Sequence, residues 1–595
     1  MKNIAFKLLI FTAAIILMAS CASAPTNPAD LILHNGKIAQ GTTEEAFVEA
    51  ISIKDGIIQS VGSKEEVLKY KSDETQVIDL KGKTVIPGLN DSHTHVVRAG
   101  LNYNMELRWD GVTSLKEAMK MLKEQAARTP EGQWVRVVGG WTEHQFEEKR
   151  LPTLAEINEA VPDKPVFILY LYSLGFINQK GVEVLGYDKD TWYPGGEIEL
   201  DENDNVTGFL AAKPSALLLY STLVKLPKLS REEQYNSTLH YIRDLNRLGV
   251  TSAVDAGGGG QFYPDNYQIA KEVAKDGKLN MRIGYYLFAT TKGQELDDFQ
   301  KWTTNEKLGV NDDMMKPNGY HMCGAGENIV WSAADFENFM EPMPVLADMM
   351  EKELTTAITM FAKNKWPFRI HATYDESITR FLNVFEKVDA EYPFLDEVRW
   401  IIDHAETVSD ENLARIKRLG GGIAIQCRMM FQGDYFVDRY GLEKAKRTPP
   451  IRKMLDMGIP VGMGTDGTRV SSYNPIIALY WAVSGKTWSG QVIYPKENRM
   501  SRMEALKLAT SGSAWFTGEE NVKGTLEVGK YADLAVLDRD YFTVPEEEIK
   551  TMESILTIVN GKPVYGAKEF KSYDQEIPEV IPAWSPVKYY GGYQN

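Results

Sequence analysis

Three cysteines in 595 residues, Cys21, Cys323 and Cys427, are too few for a disulfide framework. The fold must therefore rest on a buried core, and Cys323 and Cys427 are expected to be reduced and buried within it. Positive charge is also in deficit: 66 Lys and Arg stand against 82 Asp and Glu, a formal charge of −16. With no basic run to offset this, nucleic acid is excluded as a partner. Long apolar runs are nearly absent. The one at residues 8–18 is too short to span a bilayer comfortably. Histidine is scarce as well, at eight in the chain, so any clustering of it carries weight.

The apolar run has Lys2 and Lys7 ahead of it and Ala19-Ser20-Cys21 behind it, the layout of a secretory signal over residues 1–20. Cleavage before Cys21 is similar to processing at a bacterial lipobox, with Met18 where leucine is preferred. Cleavage after Ala24 would instead leave Pro25 first, which ordinary signal peptidases tolerate poorly. The expectation is lipidation of Cys21, a tether over residues 21–29, and a protein anchored in the bacterial cell envelope, facing periplasm or exterior. A plain secreted protein is the alternative. The lipid would be the chain's sole contact with a membrane.

Residues 31–62 read as short strands with turn signals at Asn35-Gly36 and Asp55-Gly56, and the same texture returns at residues 524–538 and 555–565 with the turn Asn560-Gly561. Two β segments flanking a long middle predict one small β-sandwich built from both terminal segments, residues 30–84 and 506–566. Between them, over residues 85–505, apolar β-branched or aromatic runs alternate with helix-like stretches, as in a parallel α/β architecture. Candidate strands are residues 85–89, 250–255, 281–288, 368–371, 399–404, 422–427 and 460–464. A distorted (β/α)₈ TIM barrel fits them best. Residues 142–248 are long for one barrel connection and are expected to form an inserted subdomain over the mouth. The aromatic tail, residues 567–595, is expected to pack on the body or on a second subunit of a homodimer.

Reactive groups in such barrels come from the C-terminal ends of strands. Pro87-Gly88-Leu89-Asn90-Asp91-Ser92-His93-Thr94-His95 ends a strand-like run with two histidines on one face, since side chains alternate with period two. Neutral imidazoles so placed can grip one metal ion. Three further runs end in ligand types: Arg369-Ile370-His371-Ala372, Ile402-Asp403-His404-Ala405-Glu406 and Gly464-Thr465-Asp466.

With these motifs in this order, the chain resembles the metal-dependent amidohydrolase superfamily, within it the family 3 amidohydrolases that include N-substituted formamide deformylases. The resemblance covers nearly the whole mature chain. It implies a (β/α)₈ barrel with a β-sandwich from both termini and hydrolysis of non-peptide C–N bonds in a small amide, N-acyl or N-formyl substrate. It also implies metal ligation by His93, His95, His371, His404 and Asp466, with Asp466 and His404 in catalysis. The cofactor would be one or two divalent ions, with zinc suited to imidazole and carboxylate donors. A bridging lysine or glutamate from strand four is also expected. Lys316 is followed at once by Pro317, so Glu327, after Gly324-Ala325-Gly326, is the better bridging ligand; Lys316 is the alternative and His321 a third choice. Candidate substrate contacts are Trp141, Tyr374, Gln426 and Arg428. The glycine run 257–260 lacks the lysine of a phosphate-binding loop and reads as a strand-to-helix turn.

Overall fold

The structure is a computed structural model that describes residues 27–44, 46–309, 319–336 and 339–594. Cys21 and Lys316 lie outside the described residues, as does the expected signal segment.

Eight parallel strands form the central sheet: β1 (Leu89–Thr94), β2 (Val250–Asp255), β3 (Arg282–Leu287), β4 (Tyr320–Ala325), β5 (Phe368–Ala372), β6 (Trp400–His404), β7 (Gly422–Gln426) and β8 (Val461–Gly464). They pair in chain order from β1 to β8. Just past β8, Asp466 N donates to His93 O at 2.8 Å, so the end of the last strand is fastened to the first and the barrel closes. The strands are buried almost throughout because helices cover the outer face while side chains fill the inside. The helix Asp375–Glu391, for example, turns Ile378, Phe381, Leu382, Phe385 and Val388 inward at helical spacing.

The barrel is irregular between β4 and β5, where Ala325–Phe368 is the single registered pair. Gly324 adopts φ +152, and a Cβ there would stand 2.2 Å from Pro367 O. That close approach requires glycine. Past it, Gly326 N donates to Leu287 O, Glu327 N to Ala256 O, and His371 N to Glu327 O. Glu327 is thus pinned from both sides at the barrel mouth. β4 is the strand absent from the sequence-based set, because its Tyr-His-Met-Cys-Gly-Ala composition carries little β-branched signal.

Both termini build the β-sandwich. One sheet has the order Ile57–Gly62, Ala50–Lys54, Leu31–His34, Gln76–Asp79. The other runs Lys562–Gly566, Ser554–Val559, Leu534–Leu537, Thr84–Pro87, Lys37–Ala39, Phe47–Val48. Leu33, Ile53, Ile78, Val85, Leu534 and Ile558 share the core between them. One boundary is corrected here: residues 85–87, expected in the first barrel strand, pair with Lys37–Ala39 and Leu534–Leu537 instead. The chain crosses into the barrel at Gly88, where a Cβ would lie 2.1 Å from Thr251 Oγ1.

A separate six-stranded sheet runs from Glu106–Leu107 to Val206–Ala212. It starts before the expected residue 142 because Val135–Val138 pairs in parallel with Glu106–Leu107 rather than ending a barrel connection. It also stops short of residue 248, since Arg231–Arg247 is the helix that packs on Val96–Asn102 and β2. The tail lies on the body: Arg128 stacks 4.1 Å over the Tyr589 ring, Tyr590 Oη donates to Glu124, and Tyr593 is buried. Cys323 and Cys427 are both buried free thiols.

Candidate metal centre

β1, β5, β6 and the segments after β4 and β8 deliver six ligand-type side chains to one point. Glu327 lies at the middle. One of its oxygens, Oε2, stands 3.4 Å from His93 Nε2, 3.6 Å from His371 Nδ1 and 3.7 Å from His404 Nε2; the other, Oε1, is 3.8 Å from His95 Nε2. Asp466 Oδ1 is 3.1 Å from His95 Nε2 and 3.6 Å from His93 Nε2. Three overlapping groups arise that could each hold an ion: His93, His95 and Glu327; His93, His404 and Asp466; and Glu327, His371 and His404. All six side chains are buried.

Two observations fit this cage to a cation. His93 Nε2 and His404 Nε2 are buried without a hydrogen-bond partner, although both aim at the Glu327 carboxylate. Orphaned buried nitrogens converging on a carboxylate oxygen at 3.4 and 3.7 Å leave the spacing of ligands around an ion rather than of hydrogen bonds. The opposite ring nitrogens are also held. His93 Nδ1 lies 3.0 Å from Asp403 Oδ1, and His404 Nδ1 2.5 Å from Gln426 Oε1. An N–H donated from Nδ1 to each oxygen leaves the Nε2 lone pair facing the centre.

Electrostatics agree. Burial, the Arg428 guanidinium and the neighbouring histidines hold His404 well below the usual imidazole value, and burial with Arg98 lowers His95. Both rings are therefore neutral, as ligation requires. Burial would raise the Asp466 carboxyl, but its contact with His95 and the charge of Arg428 outweigh that and keep it ionised. Asp403 is likewise lowered against burial by Arg369, whose Nε donates to it at 2.8 Å. Backbone strain gathers here too. His404 at φ +78, Ala405 at +53 and Asp466 at +56 sit in the left-handed region without being glycine, costing on the order of 1–3 kcal/mol each, a pattern typical of functional sites.

Some expected contacts fall elsewhere. Trp141 is wholly buried among Trp109, Phe146 and Tyr170, and its Nε1 donates to Leu169 O, so it is core of the extra sheet rather than pocket wall. Tyr374 lines a different cavity with Met343, Phe436 and Tyr440, because Asp335 Oδ2 accepts from the N–H groups of Thr373 and Tyr374 and turns the chain away. Gln426 is spent on His404 and on Ala424 O. Arg428 does reach the cavity wall, where it donates to Asp466 Oδ2 at 2.8 Å and to Glu406. His321, second in β4, lies about 20 Å of strand below Glu327 and faces Gly284 and the Glu519 charge.

Other participants carried no signal strong enough to single out. Asp403 and Arg369 were read merely as flanks of the motifs around His404 and His371. Asp335 Oδ1, 3.6 Å from His371 Nε2, comes from a loop. Asp91 Oδ1 and Oδ2 accept from Thr465 and from His93 N, tying β1 to β8 beneath the site. Tyr172, Pro214 and Tyr220 cover the centre from the extra sheet and the segment after it, and Phe336 from the loop between β4 and β5.

The amidohydrolase family model matches residues 76–565. The chain is 24% identical over 557 residues to the N-substituted formamide deformylase of Arthrobacter pascens, covering 90% of this chain and 98% of that protein. It is 26% identical over 545 residues to the YtcJ amidohydrolase of Bacillus subtilis, covering 90% and 99%. An uncharacterized metal-dependent hydrolase from Pyrococcus horikoshii superposes with a TM-score of 0.61 at 22% identity, over 87% of this chain and 99% of the other. The matched segment spans the whole barrel and reaches into the sandwich on both sides; the chain therefore belongs to the amidohydrolase family and is a hydrolase of carbon–nitrogen bonds, with buried side chains grouped to hold a divalent metal.

Proposed function

We propose that the protein hydrolyses the C–N bond of an N-acyl or N-formyl amine, with two divalent ions, zinc being the best match to the donors, held on either side of Glu327. His93, His95 and Asp466 would hold one, His371 and His404 the other, and Glu327 both. The observation that carries this reading is that the Glu327 carboxylate faces all four histidines, Oε1 toward His95 and Oε2 toward His93, His371 and His404, at 3.4–3.8 Å. When bound, an ion of this kind lowers the pKa of a coordinated water to about 7 and polarises the substrate carbonyl.

The side chains supply the rest. Asp466, ionised and fixed by Arg428, is placed to take the proton of the attacking water and to hand it to the departing amine, which leaves poorly as an anion. His404, kept neutral by burial and Arg428, presents Nε2 to the centre and backs the carbonyl side. Phe336, Pro214 and Val470 wall the cavity with apolar surface, which strengthens each of these interactions by excluding water. The likeness to a formamide deformylase supports the substrate class.

The reading also sets the enzyme outside the cytoplasm on a lipid at Cys21, supported by the order of residues 1–24 alone. The test of the chemistry is a panel of N-formyl and N-acetyl amines offered to the purified protein. Hydrolysis should vanish on chelation and return with zinc, and Asp466→Asn should lose about 10²–10⁴-fold in kcat. A metal-loaded wild type that cleaves no amide in the panel would overturn the proposal.

A further inference from the structure

We infer that Arg98, Arg136 and Arg469 form a subsite for a carboxylate, so that the substrate is an amide that also bears a carboxylate away from its scissile bond. This rests on the amide-hydrolysis reading above.

Every other large buried arginine of the barrel region has a carboxylate partner: Arg108 with Glu106, Arg282 with Asp533, Arg369 with Asp403, Arg428 with Asp466. These three do not. Arg98, 4% exposed, donates from Nη1 to Gly259 O, while its Nε and Nη2 have no partner. Arg136, 5% exposed, donates to Pro227 O and leaves Nε unpaired. Arg469 meets two tyrosines, donating to Tyr172 Oη at 3.3 Å, with its guanidinium 5.7 Å from the Tyr220 ring centre. The acids nearby are committed: Glu106 to Arg108, Asp255 to Val97 N, Gly257 N and Gln261, and Asp466 to His95 and Arg428. Burying unpaired cations is costly, and a chain that pairs four such arginines elsewhere gains nothing structural from leaving three together.

The three arginines line one cavity of about 80 Å³, with Lys228 adding further positive charge and Glu106 the one acid. It adjoins the metal centre. Tyr220 lines this cavity, the one walled by His95, Glu327 and Asp466, and an apolar chamber of about 310 Å³ that holds Phe262, Phe288, Trp331 and Phe336. Gly259 and Gly260 line both the arginine cavity and the chamber. A Cβ on Gly258 would lie 2.8 Å from His95 Nδ1 and 3.0 Å from Arg98 Nη1, so the guanidinium stands one residue's width from a metal-site histidine. An amide at Glu327 with an apolar body in the chamber thus brings an anionic end to the arginines.

The test measures binding by calorimetry to the metal-loaded, turnover-deficient Asp466→Asn protein, with 6-acetamidohexanoate, whose carboxylate is set apart from the amide by a chain of methylenes, compared with its carboxamide, 6-acetamidohexanamide. The carboxylate should bind at least about tenfold tighter, and Arg98→Met or Arg469→Met should each erase that difference while the carboxamide changes by less than about twofold. Without ligand, both variants should melt no lower than their parent, since each removes an unpaired buried charge. Equal affinity for the two ligands in the parent overturns the proposal, as does a sharp fall in thermal midpoint with the preference retained. Inorganic phosphate supplies the remaining arm. Phosphate that binds without displacing 6-acetamidohexanoate assigns the arginines to a free anion and equally overturns the substrate assignment. Should wild type cleave no amide while the carboxylate preference holds, only the hydrolysis reading fails.

Discussion

Asp403 Oδ1 holds His93 Nδ1 at 3.0 Å and thereby decides which nitrogen of that imidazole faces Glu327. Asp403 is itself clamped by Arg369 and wholly buried, so the ring is held in one orientation. Partners of this kind usually change metal affinity 10–100-fold when removed. Asp403→Asn should therefore bind zinc about 10–100-fold more weakly while keeping the ligand set. Competition with a chromogenic chelator measures it; an unchanged zinc affinity would show that the ring is held by other means.

Glu327 makes the prediction about stoichiometry. If one carboxylate serves two ions, Glu327→Gln should lower the bound zinc from two per chain toward one or none, whereas His371→Ala should lower it by one. Inductively coupled plasma mass spectrometry on protein dialysed against trace zinc gives both counts. Two ions retained in Glu327→Gln would mean that this carboxylate bridges nothing.

Much of this was legible beforehand, and the reasons are physical. The ligands at the ends of β1, β5, β6 and β8 stand out because a strand end fixes both position and facing, and histidine is rare enough to be noticed. Glu327 was less secure, because it is delivered by a glycine-bent segment past the strand rather than by the strand itself. The positioning residues were hidden by distance in sequence: Asp403 and His93 are 310 residues apart, and nothing local in either motif announces the contact. Trp141 misled for the converse reason. A tryptophan after an apolar run looks the same whether it caps a barrel strand or sits in the core of a separate sheet.

Acid should expose a second buried pair, remote from the chemistry. Burial raises the Glu519 carboxyl, but Lys523 with His321 and Thr517 overcomes that and holds it down to about 2. Its folded value is below the ordinary carboxylate value of 4.5, so the stabilisation is fully present above about pH 4.5 and is lost as pH falls toward 2. Glu519→Gln should cost on the order of 3 kcal/mol at pH 7 by leaving Lys523 buried and unpaired. Glu519→Gln with Lys523→Met should cost less and flatten the acid limb. Urea melts from pH 7 to 3 read this; parallel acid limbs in wild type and the double variant would show that the pair does not set it.

The anchor is predicted from residues 1–24 and is tested apart from the fold. A lipobox-type signal processed before Cys21 leaves that residue as the amino terminus, carrying acyl chains. One chain gives only marginal membrane binding, whereas two or more hold a protein stably. Expressed in a bacterial host fed radiolabelled palmitate, the wild type should incorporate label and sediment with membranes, and Cys21→Ala should do neither. The soluble variant should keep full amide-hydrolysing activity, because the side chains grouped at the metal centre all lie between His93 and Asp466. Mature protein found soluble outside the cytoplasm, with an unlabelled amino terminus, would replace the anchor with plain secretion.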